Sequence, residues 1–140
     1  MRKEHLCHFL KLKELFDKSV VNFDRFSENV FGSIKDTMEI ADQLKNSNKI
    51  QEMQRDCHIF ISRINKLKLT VDGFILSFKE ADLFFSQSTI NGLEAENWLD
   101  KCSEVLIQFS DQTSDCQKHL RESCKKWNKI QNKMLKEVEE

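Results

Sequence analysis

Proline is absent from the 140 residues, and glycine occurs only three times, as Gly32, Gly73 and Gly92. Helix interiors reject proline, while loop-rich and strand-rich folds draw on both residues for their turns. Their scarcity excludes a chain of many short elements and points to long helices. Charge of one sign is also missing. The 22 basic and 23 acidic residues leave a net charge of −1, and no segment is basic enough to attract nucleic acid or anionic lipid. Long hydrophobic runs are missing too: the longest stretch without a charge, 83–93, has eleven residues, too few to span a bilayer. The opening "MRKEHLCHFLKLKELF" interrupts its apolar residues with charges and has no signal-peptide core. These absences give the expectation of a cytoplasmic or nuclear protein with no integral membrane segment and no nucleic-acid partner.

What is present is a folded helical composition. Hydrophobic residues make up 39% and charged residues 32%, with the aromatics supplied almost entirely by eleven phenylalanines. A disordered chain is poorer in large apolar side chains. At 16.6 kDa the length suits a single domain over 1–140 with one modest core.

The apolar spacing predicts three helices, about 3–45, 49–86 and 91–138. In the first, Phe9, Phe16, Phe23 and Val30 recur by sevens, with Leu12, Val20, Phe26, Ile34, Ile40, Ala41 and Leu44 on the same face. "KNSNK" at 45–49 is a polar break, since asparagine and serine compete for backbone hydrogen bonds. In the second, Ile50, Cys57, Ile64, Val71, Phe78 and Phe85 fill one heptad position, and Met53, Phe60, Leu67, Phe74 and Ala81 the other. "SQSTING" at 86–92 supplies the next turn, with Asn91 and Glu94 placed to cap the third helix. That helix aligns Leu99, Leu106, Leu120, Trp127 and Met134 at one position, and Cys102, Phe109, Cys116 and Ile130 at the other. The seam still runs at Val138. Helices of roughly 40 residues rise about 60 Å, and short links make neighbours antiparallel. The expected fold is all-α: an elongated antiparallel up-down-up three-helix bundle with coiled-coil-like heptad packing.

"NWLDKCSEVL", residues 97–106, resembles the tryptophan-bearing first helix of spectrin repeats, themselves three-helix rods. The likeness covers about ten residues, falls on the third helix here, and implies a spectrin-like shape only.

Candidate chemistry is sparse. Cys7, Cys57, Cys102, Cys116 and Cys124 are odd in number and lack C-x-x-C spacing, so reduced thiols used as small hydrophobes are expected. His5, Cys7 and His8 stand close, but a structural zinc site wants four ligands, commonly as two pairs. With antiparallel helices turning near residue 89, Cys57 should lie level with position 121, near Leu120 and Cys124. Nucleophiles on regular helical faces, and no glycine-rich loop for phosphate, give no catalytic residue, and no cofactor is implied. The row Lys118, Lys125, Lys129, Lys133 and Lys136 is interleaved with Glu122 and Glu137 and reads as a solvated face.

The second helix carries a surplus. Leu69, Leu76 and Leu83 recur by sevens behind the seam, with Ile61, Ile75 and Phe84 broadening the apolar surface. On the third helix the same position holds Glu104, Asp111, Lys118, Lys125 and Asn132. On the first, Leu10, Val21, Phe31 and Met38 also sit outside the main seam. Either the bundle is rotated so that the first helix covers part of this side, or the row is exposed and marks an interaction site, which is the reading favoured here. The expectation is a non-enzymatic scaffold or complex-assembly subunit. Its partner-binding residues are Leu69, Leu76, Leu83, Ile61, Ile75 and Phe84, and its partner is another helical protein or a second copy in a homodimer. The alternative is an amphipathic helical bundle that binds lipid surfaces.

Overall fold

The computed structural model describes residues 2–43, 48–87 and 89–139. Three helices account for nearly all of them: α1 (Arg2–Gln43), α2 (Asn48–Phe85) and α3 (Gly92–Glu139). The protein is an all-α three-helix bundle, with helix bounds close to those read from the sequence. The side chains of Ala41, Leu44, Met134 and Val138, and the break at 45–47, lie outside the described residues.

The α2–α3 turn follows from its caps. The Ser86 amide donates to the Asp82 carbonyl at 3.0 Å and the Gln87 amide to the Phe84 carbonyl at 3.2 Å, which satisfies carbonyls left open at the end of α2. Asn91 Oδ1 then accepts from the amides of Leu93 at 2.9 Å and Glu94 at 3.4 Å. That is the expected N-cap of α3, and Glu94 in its first turn suits the positive end of the helix dipole.

The contacts divide the chain into two compact units, each with one stretch of every helix. Unit 1 comprises Met1–Asp24 and Leu67–Thr113; unit 2 comprises Arg25–Lys66 and Ser114–Glu140.

Unit 1 is built on phenylalanine. Phe9 stacks on Phe85 with centroids 4.5 Å apart, and Phe16 on Phe78 at 4.1 Å. As α1 advances α2 retreats, so the two run antiparallel. Phe109 of α3 meets Phe16 and Phe23 edge-on, both at 5.9 Å, and lies 5.7 Å from Phe74 of α2. One ring thus joins all three helices, in geometries that aromatic quadrupoles favour.

Unit 2 centres on Phe60 and Trp127, whose rings meet edge-on at 6.5 Å. Lys126 bridges Glu52 at 2.7 Å and Asp56 at 3.4 Å, tying α3 to α2. Gln54 Nε2 donates to Asp42 Oδ1 at 3.1 Å, linking α2 to α1. The ion pairs are largely exposed and set register more than stability.

Two buried polar atoms of unit 2, Ser27 Oγ and Trp127 Nε1, have no hydrogen-bond partner among the described residues. Ser27 is 2% exposed. A buried hydroxyl without a partner costs free energy, and serine forms helix less well than alanine. Ser27→Ala is therefore expected to stabilise the fold by about 1 kcal/mol. Thermal unfolding followed by circular dichroism checks this, and a lowered midpoint would mean that the hydroxyl is bonded.

Candidate functional site: an apolar face on the second helix

Every heptad-seam position of α2, from Ile50 through Phe85, is buried. With that seam fully used inward, the row behind it is left largely uncovered by the described residues. Leu69, Leu76 and Leu83 are 71%, 57% and 72% exposed. They stand seven residues apart, two helical turns, so they form one line along α2 in unit 1. The matching positions of α3, among them Glu104, Asp111 and Lys118, are polar and exposed. The contrast between the two helices is chemical and not geometric.

Ile75 adjoins this line and is half-buried. It borders a groove of about 460 Å³ between α1 and α2, floored by Phe16 and Phe78 and walled by Val20 and Val21. Lys13 and Asp82 form an ion pair at 3.4 Å on its rim, which also carries Asp17 and Lys79. The groove is an apolar slot within unit 1, edged by charges of both signs.

One of the expected residues does not join the row. Phe84 is 7% exposed because it turns toward α3, where its ring stacks on Trp98 at 5.7 Å and meets Phe85 edge-on at 5.1 Å. It is a core residue of unit 1. Ile61, at the same heptad position as Ile75, is half-buried like it and belongs to unit 2. On α1, Leu10 and Val21 are exposed as anticipated, and Phe31 and Met38 are half-buried. Other exposed apolar side chains, Leu6, Leu15, Ile59, Leu93 and Ile107, lie outside the rows read from the sequence; Leu93 and Ile107 share a heptad position on α3 but have Asp100 between them.

A smaller cavity, about 290 Å³, opens in unit 2 beside Asp56, Ile59, Phe60, His119, Glu122, Ser123 and Lys126. The Lys126 ammonium donates hydrogen bonds to the carboxylates of Glu52 and, less strongly, Asp56, which hold its pKa above the usual value. The feature is a charged notch with one aromatic wall. Among the described residues no group of three or more His, Cys, Asp or Glu is placed to hold a metal ion. Among them, too, no helix is long and apolar enough to cross a membrane.

All five cysteines are free thiols. Cys57 lies near Cys124, in the register anticipated from the α2–α3 turn. Burial, helped by Asp56 and then Cys124, pushes the Cys57 thiol up to about 11. Burial also raises Cys102 to about 11, against a small opposing effect of Lys101. Cys116 and Cys124 rise for the same first reason. These groups stay neutral in the fold, whereas unfolded thiols ionise near 9.0. Their contribution to stability is full below the unfolded value and is lost as pH climbs from about 9 through about 11. The melting temperature is therefore expected to fall across that window. At neutral pH a thiol reagent should modify exposed Cys7 at once, and buried Cys57, Cys102 and Cys116 only after denaturation. Prompt reaction of those three in the native protein would contradict the packing described.

Compared with protein-family models, curated proteins and solved structures, the chain matches none.

Proposed function

We propose that the protein is a non-catalytic scaffold or complex-assembly subunit, cytoplasmic or nuclear, that packs against partner helices through the apolar face of α2. A single observation carries the reading. On one helix every inward seam position is buried, yet the leucine row behind it stands largely in water. Three leucines fully buried contribute roughly 5–8 kcal/mol of transfer free energy before association costs are subtracted. A helix laid along the row would recover much of that, in the helix-to-groove mode that uses apolar anchors one and two turns apart. The slot beside Ile75 offers a socket for one such anchor.

The test is quantitative affinity capture with the wild type and with Leu76→Glu, alongside circular dichroism of each. Proteins held by the wild type should be lost on the variant while its helix content is unchanged. The same set held by both would overturn the reading.

A further inference from the structure

We infer that the occupant of the α2 face is a second copy of this chain, docked with the two α2 helices antiparallel about a two-fold axis beside Ile75. This deepens the docking role proposed above and rests on it. Two independent features of unit 1 point to a copy and not to an unrelated helix.

The first is a charge pattern that reverses sign about its own centre. Along the α1 side of the leucine row run Lys68, Asp72, Ile75, Lys79 and Asp82, spaced four, three, four and three, so they lie on one edge of the helix. A second copy running the opposite way sets Lys68 against Asp82 and Asp72 against Lys79. Each pair occurs twice, with the two-fold axis level with Ile75. All four encounters are between opposite charges. A parallel copy would set each charge against itself. In an isologous interface the same edge of both subunits meets, so the surface must complement itself, and this one does so only when antiparallel. Asp82 remains bonded to Lys13 of its own chain at 3.4 Å with its side chain 48% exposed, which leaves it a face to offer.

The second feature is Gly73. It sits in the middle of α2 on the exposed side, four residues after Leu69 and three before Leu76, where glycine weakens a helix relative to alanine. Among the described residues nothing crowds it: a Cβ built there meets nothing within 4 Å. In the antiparallel arrangement centred on Ile75, Leu76 of one copy comes level with position 74 of the other. It drops into the gap above Gly73, and the relation is reciprocal. The three leucines of each helix then alternate with those of the other.

Sedimentation equilibrium of the full chain tests the arrangement, with every sample checked for helicity by circular dichroism. The wild type should give twice the chain mass. Asp72→Lys brings a positive charge against Lys79 of the other copy at both ends, and dimer affinity should fall by roughly tenfold or more. Lys79→Asp should fall likewise through paired negative charges. An equimolar mixture of the two single variants, or the double variant Asp72→Lys with Lys79→Asp, restores opposite signs and should recover the dimer. A wild type at single-chain mass, or single variants that dimerise as well as the wild type, would overturn the pairing. So would a mixture that fails to recover. A single-chain wild type sinks only the self-pairing, whereas the docking reading falls on the capture comparison with Leu76→Glu.

Discussion

Phe74→Glu should leave the chain largely unfolded at room temperature. Phe74 is buried on the inward seam of α2, with its ring 5.7 Å from that of Phe109 on α3. Removing the ring from a packed site costs about 3–5 kcal/mol. A carboxylate in its place must either be buried charged, at several kcal/mol more, or be forced neutral by a raised pKa. The sum approaches or exceeds the roughly 5–15 kcal/mol that typically separates a folded domain from its unfolded chain. Far-UV circular dichroism should show most of the helical signal gone. A cooperative melt near the wild-type temperature would mean that the α2 seam does not face inward as described.

Phe109→Ala comes next in expected effect, at about 3–5 kcal/mol of lost stability. Its ring touches Phe16 and Phe23 of α1 and Phe74 of α2, so a single truncation opens a cavity bordered by all three helices of unit 1. The surrounding rings are too large and too constrained to close it. Phe109→Leu, which refills most of the volume, should cost much less. Urea unfolding of both variants measures the difference. A loss below about 1 kcal/mol for the alanine variant would contradict the convergence of three helices on this ring.

The inward seams were legible wherever the heptad ran without interruption. On α2 all positions assigned from spacing are buried, because an apolar residue recurs there every three or four places with no polar exception. On α3 burial keeps to the assigned lines at Ala95, Leu99, Cys102, Phe109, Cys116 and Trp127. Leu106, Leu120 and Ile130 are only half-buried, and Val105 is buried beside the line. The seam weakens where Thr113 and Ser123 interrupt the apolar repeat. The leucine row behind α2 was legible for the same reason as the seam. Phe84 was not, because its burial depends on Trp98, a residue on another helix that spacing along α2 cannot reveal. The slot beside Ile75 escaped notice on similar grounds. It exists only once α1 and α2 are placed in register and Val21 comes alongside Ile75. Local periodicity carries the faces of each helix; which side chains meet across helices is a property of the packed molecule.

The physical core of this picture is that Leu69, Leu76 and Leu83 are surplus to the fold of a single chain. Urea unfolding of the triple variant Leu69→Gln, Leu76→Gln and Leu83→Gln, at high dilution, tests that most directly, since glutamine matches leucine closely in helix propensity. The expected result is a stability within about 1 kcal/mol of the wild type at the same dilution, because the three side chains already stand in water. A loss of roughly 5–8 kcal/mol, the transfer free energy of three buried leucines, would show that the chain seals them itself and has no face left to offer a partner.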